Sequence, residues 1–142
     1  MPTYDSRQVA TTLGRLAASG ATTTRIADAV IATWQAVDAA LAPVIGGRGV
    51  AALYGRSLYL VRTAHPWLAA LHQGPRTKLD LPLLAATLES QGAASAAAGG
   101  GDQFQSLYEL LDSLIGSSLT GQLLGAAWDN AFDGLAAQDN SQ

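Results

Sequence analysis

The sequence contains no cysteine, which removes disulfides, thiolate metal sites and cysteine nucleophiles together and fits a reducing compartment. Beyond Lys78 it contains no lysine or arginine either. Histidine occurs twice, at His65 and His72, with Pro66 between them and no third ligand near in sequence, so no metal site is expected. No apolar stretch runs unbroken to the roughly 18 residues of a membrane span, and the first residues, MPTYDSRQ, have no basic leader followed by an apolar segment. The expectation is a soluble cytoplasmic protein with no membrane role. Strand-like alternation of apolar and polar residues is also missing, which leaves helix as the only regular structure the pattern supports.

The 142 residues suffice for a single helical domain, and a chain of this size buries roughly 68–70% of its unfolded surface. Val9, Leu13 and Leu16 fall on one face of a first helix over about 5–19, with Gly20 as its C-terminal cap. Thr22, Thr23 and Thr24 offer N-caps for a second, whose face carries Ile26, Val30, Trp34, Val37 and Leu41 until Pro43 and the glycines end it. A third runs from about Gly49 to Ala64, stopped by Pro66, and a short element then holds Trp67, Leu68 and Leu71 before a turn at 73–76. Leu81, Leu84 and Leu88 mark another helix over 80–91. The run GAASAAAGGG, residues 92–101, reads as a flexible linker because small side chains bury little and glycine loses most entropy on ordering. Asp102 then caps a helix with Phe104, Leu107, Leu111 and Leu114, and Ser117 or Ser118 opens a last one with Leu123, Leu124, Trp128 and Phe132. The fold class is all-α, a compact bundle of about six helices.

A shift of seventy positions aligns Trp34 with Phe104, Val37 with Leu107, Leu41 with Leu111, Val44-Ile45-Gly46 with Leu114-Ile115-Gly116, and Leu53 with Leu123. It also sets Leu13 against Leu83, which suggests two related three-helix halves, residues 1–78 and 79–142. The same alignment answers a question raised by VIGGRGVAALYGRSL, residues 44–58, whose Gly47-x-Gly49-x-x-Ala52 matches part of a dinucleotide fingerprint. That motif needs a preceding strand and an acid about 20 residues later. Here a helix precedes it, the next acid is Asp80, and the second copy has Ser117-Ser118-Leu119 where the first has Gly47-Arg48-Gly49. The Ile-Gly corner is structural, with no Gly-Lys-Ser/Thr of a phosphate loop.

Charge is divided unevenly. Residues 1–78 hold eight basic residues and three acids, a balance of +5, whereas residues 79–142 hold eight acids and no base, −8. On a helical wheel Arg48, Arg56 and Arg62 lie opposite the apolar face of the third helix, with Tyr59 among them. Arginine offers bidentate contacts to carboxylate or phosphate, and tyrosine offers a rigid contact surface. The bland alternative is the solvated side of an amphipathic helix, but such a side usually mixes signs. His65 and Trp67 follow directly, His65 also being suited to close a helix C-terminus.

Catalytic constellations are not found: Glu109 with Asp112 and Asp129 with Asp133 read as solvated acid pairs without the apolar pocket that separates carboxylate pKa values. No cofactor is expected, nor is nucleic-acid binding on a chain of net charge −3. The leading expectation is a non-enzymatic interaction or regulatory protein. Arg48, Arg56, Tyr59, Arg62, His65 and Trp67 form its binding surface, and an acidic protein or the acidic half of a second copy, giving a homodimer, is the partner. The alternative is a sensor in which the arginines and the His65–Trp67 corner enclose a small anion such as a nucleotide or carboxylate. A partner surface would be exposed and convex, a ligand site concave with an aromatic wall.

Overall fold

A computed structural model describes residues 8–69, 71 and 79–140, with side chains described as far as Trp128. The start of the first helix at residues 5–7, His72, the turn at 73–76, and the side chains of Asp129, Phe132 and Asp133 lie outside the described residues. Six helices and no strand occur among those described: α1 (Gln8–Ala18), α2 (Thr23–Val61), α3 (Pro66–Ala69), α4 (Leu81–Glu89), α5 (Ala93–Ile115) and α6 (Ser117–Asn140). The protein is an all-α bundle.

Local chemistry accounts for the helix ends. Gly20, at φ 89°, closes α1 with paired bonds, Gly20 N–H to Ala17 O and Ala21 N–H to Leu16 O, the arrangement a left-handed residue permits. Thr22 accepts the Arg25 N–H to open α2, and Asp80 accepts the Leu83 N–H to open α4, with Pro82 in the first turn, where its missing donor is harmless.

The expected end at Pro43 and the glycines comes at a glycine and not at the proline. The helix continues through it to Ile45, because so close to the end the proline deprives only the Ala39 carbonyl of a donor, and Ala39 is exposed to solvent. The break comes at Gly46, with φ 81° and ψ 159°. A nearly identical break, φ 86° and ψ 159°, separates α5 from α6 at Gly116. These angles lie in a region essentially reserved for glycine. Residues 47–61 form a second arm of α2 that folds over the first, bringing Tyr54 edge-on to Trp34 at 4.9 Å. By hydropathy and length α2 is apolar enough to cross a membrane, with 33% of its most apolar window buried within the bundle, and it bends at Gly46.

The stretch read as a flexible linker is instead the beginning of α5, and this is a correction. Ala96, Ala97, Gly99, Gly100 and Gly101 are buried. A Cβ at Gly99 would lie 2.5 Å from Cζ2 of Trp67, at Gly100 2.8 Å from Cγ2 of Val30, and at Gly101 2.9 Å from the Ala10 Cα. The missing side chains let α1, the first arm of α2 and the α3 segment approach the α5 backbone closely, and that packing offsets the entropy which ordering glycine costs. Asp102, expected as a cap, consequently sits inside the helix.

The first arm of α2 and α5 lie side by side and run in the same direction, since Val30 meets Gly100 and, one turn further along both, Trp34 meets Phe104 at 4.9 Å between ring centroids. Phe104 meets Trp128 of α6 at 5.3 Å and 74°. One chain of rings, Tyr54–Trp34–Phe104–Trp128, thus links both arms of α2 with α5 and α6, its outer two pairs edge-to-face and its middle pair tilted at 34°; aromatic pairs contribute about 0.5–1.5 kcal/mol beyond area burial. α1 packs chiefly on α5, and α4 on α2.

Gly46→Ala and Gly116→Ala should each lower unfolding free energy by about 1–3 kcal/mol through backbone strain alone, since open space surrounds both positions. Gly47→Ala, next in the chain but helical and equally open, should raise it by about 0.4–1 kcal/mol. Urea denaturation of the three variants checks this, and equal effects at positions 46 and 47 would contradict the corner. Gly101→Ala should cost about 1–3 kcal/mol by forcing α1 away; an unchanged urea midpoint would return residues 92–101 to the status of a linker.

Candidate functional site

The second arm of α2 divides into two sides at helical spacing. Val50, Leu53, Tyr54, Leu58 and Val61 are buried, while Arg48, Arg56 and Arg62 are exposed and Tyr59 is half-buried. Residues three apart on a helix are neighbours, so Arg56 and Arg62 flank Tyr59 from either side along the axis. The Arg62 guanidinium carbon lies 3.6 Å from the centre of the Tyr59 ring and that of Arg56 lies 5.0 Å from it. Arg62 also terminates the helix: its backbone N–H and its Nη1 both donate to the Tyr59 carbonyl, at 3.3 and 2.6 Å. A cation there answers the negative end of the helix dipole.

Two guanidinium groups therefore share one aromatic ring, and neither has a carboxylate partner among the described residues. The stacking restricts side chains that would otherwise be free, while most of their N–H donors remain uncommitted. Such a pair can receive a carboxylate or phosphate oxygen on each fork without first losing much rotamer freedom. Arg48 stands eight residues before Arg56, about 12 Å along the helix axis, beside the Gly46 corner. The arginine stripe of the sequence is thus a cluster of two arginines and a tyrosine, with Arg48 apart from it.

His65 and Trp67 turn to α5. His65, bonded through its N–H to the Val61 carbonyl, places Nε2 2.7 Å from Oδ2 of Asp102, and its side chain is only 12% exposed. Trp67 packs over Gly99, and the two rings stand 6.1 Å apart at 72°. Together they fasten the end of α2 to α5. Sequence reasoning placed His65 at the C-terminus of the helix, whereas the helix ends at Val61 with Arg62 as its cap and His65 lies just before α3; it also missed Asp102, which only the helical state of 93–101 brings within reach.

A groove of about 390 Å³ lies between α1 and α5, lined by Ala10, Gly14, Ala17, Ala94 and Ala97 with Asp102 at its edge. None of the arginines lines it. In the core, Gln103 is fully buried and donates Nε2 to Ser57 Oγ at 3.2 Å, while Ser57 donates to the Tyr54 carbonyl; this links α5 to the second arm of α2. Among the described residues no three His, Cys, Asp or Glu side chains are grouped to hold a metal ion. No protein-family model, curated protein or solved structure matches this chain.

Proposed function

We propose that this protein is a non-enzymatic interaction module that binds an acidic protein segment through Arg56, Tyr59 and Arg62. The observation that carries the proposal is the stacking of both guanidinium groups on Tyr59, exposed and without a carboxylate partner among the described residues. Arg62 is held there in part by its bond to the Tyr59 carbonyl, but the cap uses one of its side-chain nitrogens and Arg56 has no such internal task among the described residues, so the remaining donors of two like charges on one ring suit an acidic group from outside the chain. The alternative of a small-anion sensor has less support, because the arginines are exposed and the groove between α1 and α5 contains none of them. The reading places the protein in the cytoplasm, with no cofactor and no contact with nucleic acid or membrane.

The proposal extends to the origin of the scaffold, which we read as a duplication. At the shift of seventy positions the N-cap residues Thr22 and Gly92 share φ near −70° and ψ near 160°. The corners Gly46 and Gly116 share their unusual angles. Thr33 and Gln103, Trp34 and Phe104, Val37 and Leu107, Leu41 and Leu111, and Leu58 and Trp128 are buried in pairs. Leu13 and Leu83 do not correspond, the first being fully buried and the second 44% exposed. The related unit on this reading is the long helix with its corner and second arm, and α1 and α4 were adapted separately. Duplication explains how one copy acquired arginines on its second arm while the other lost every base.

Binding of a fluorescent hexaglutamate peptide tests the function. Wild-type protein should bind it with an affinity that falls as salt rises, because exposed charges act through screened attraction. The double substitution Arg56→Gln and Arg62→Gln should weaken binding at least tenfold while moving the unfolding free energy by less than about 1 kcal/mol. Arg48→Gln should change it no more than about twofold. Unchanged affinity in the double variant would overturn the assignment.

A further inference from the structure

The two glycine corners come to the same end of the molecule. The first arm of α2 and α5 run in parallel, in contact at Val30 with Gly100 and at Trp34 with Phe104. Gly46 and Gly116 each lie twelve residues beyond the second contact, about 18 Å further along both helices. This end carries three of the five exposed large apolar side chains of the described residues, including the two most exposed: Val44 is 52% exposed, Leu114 67% and Leu119 40%, while Leu60 and Leu83 belong to other parts of the surface. Around them are Pro43, Gly46, Gly47, Ser113, Ser117 and Ser118, all exposed and uncharged.

Charge on this end is divided between the corners. Arg48, without a carboxylate partner among the described residues, belongs to the first; Glu109 and Asp112, in the last two turns of α5, belong to the second. Glu109 is exposed and Asp112 half-buried.

From this we infer that the corner end is a self-association face that docks on the same face of a second copy, each first corner meeting the other copy's second corner. A two-fold axis lying in the plane of the face produces this pairing: it places Val44 of each copy near the Leu114–Leu119 corner of the other and Arg48 of each toward the other's Glu109 and Asp112. A face with a basic and an acidic corner is complementary to itself in this arrangement, and isologous contacts of this kind close at two copies. No unrelated partner has to be supposed to supply the matching charges. The face is about two helix diameters across, on the order of 400 Å² per copy, roughly half the 800 Å² per partner of a standard stable interface. The dimer is therefore reversible and dissociates on dilution. Arg56 lies ten residues from Gly46, about 15 Å down the second arm, so dimerisation leaves the Arg56–Tyr59–Arg62 cluster of each copy open and makes the assembly bivalent.

Sedimentation equilibrium of the full chain from micromolar to millimolar concentration tests the inference independently of peptide binding. Wild-type protein should pass reversibly from monomer to dimer over this range. Leu114→Lys and Val44→Lys should each weaken the dimer at least tenfold with an unchanged melting temperature. Arg48→Glu and Glu109→Lys should each weaken it several-fold at low salt, and the two combined should restore most of the loss. The Arg56→Gln, Arg62→Gln variant should dimerise like the wild type. A wild type that stays monomeric at millimolar concentration would overturn the inference. So would dimerisation indifferent to Leu114→Lys, a charge swap that restores nothing, or a dimer abolished by the Arg56 and Arg62 changes.

Discussion

The parallel contact between the first arm of α2 and α5 is the constraint on which the other elements depend. Gly100 against Val30 and Phe104 against Trp34 fix how closely and in what register the two long helices lie. Once they are fixed, a glycine in a conformation closed to other residues turns each chain back, and Tyr54 and Trp128 arrive from the returning helices to extend the row of rings. The neighbouring glycines admit Trp67 on one side of this contact and α1 on the other. Burial follows from this geometry: Trp34, Phe104, Trp128 and Tyr54 are the largest fully buried side chains, and loss of any one opens a cavity shared by several helices.

Much of this could be read from residue spacing. Ile26, Val30, Trp34, Val37 and Leu41 mark one face of a helix in sequence and all five are buried. Gly20, Thr22 and Asp80 cap the helices their chemistry suits. What could not be read is where tertiary packing reverses a local preference. Three consecutive glycines lower helix propensity by about 1 kcal/mol each relative to alanine, and a sequence of small residues does not announce that three other elements approach it. Pro43 misled for a related reason: its effect depends on how many turns remain after it, and here the Gly46 corner follows at once. Reading 92–101 as a linker is what displaced Asp102 to a helix start and hid its pairing with His65.

The candidate site was legible as a set of residues but not as a geometry. Sequence spacing placed Arg48, Arg56, Tyr59 and Arg62 on the outer side of one helix, where they are. It could not distinguish a stripe from a cluster, because that depends on rotamers: Arg62 folds back over Tyr59 to cap the helix while Arg48 stays at the far corner. His65 and Trp67 looked like the wall of a ligand pocket because they follow the arginines in sequence; both face α5 instead, Trp67 against Gly99 and His65 against the Asp102 carboxylate. The separation of roles is physically consistent. Side chains that hold the helices together are apolar or internally paired, whereas the two guanidinium groups on Tyr59 have no carboxylate partner among the described residues.

The central claim is that these two guanidinium groups form a recognition site, and NMR of the arginine Nε–Hε resonances tests it residue by residue. On titration with hexaglutamate at low salt, the account predicts saturable shifts at Arg56 and Arg62 at one common midpoint, accompanied by the Tyr59 ring protons, while Arg15, Arg25 and Arg48 scarcely move. Shifts of similar size at all the arginines, rising without saturation, would mean that the peptide only samples a positive surface, and would contradict the claim.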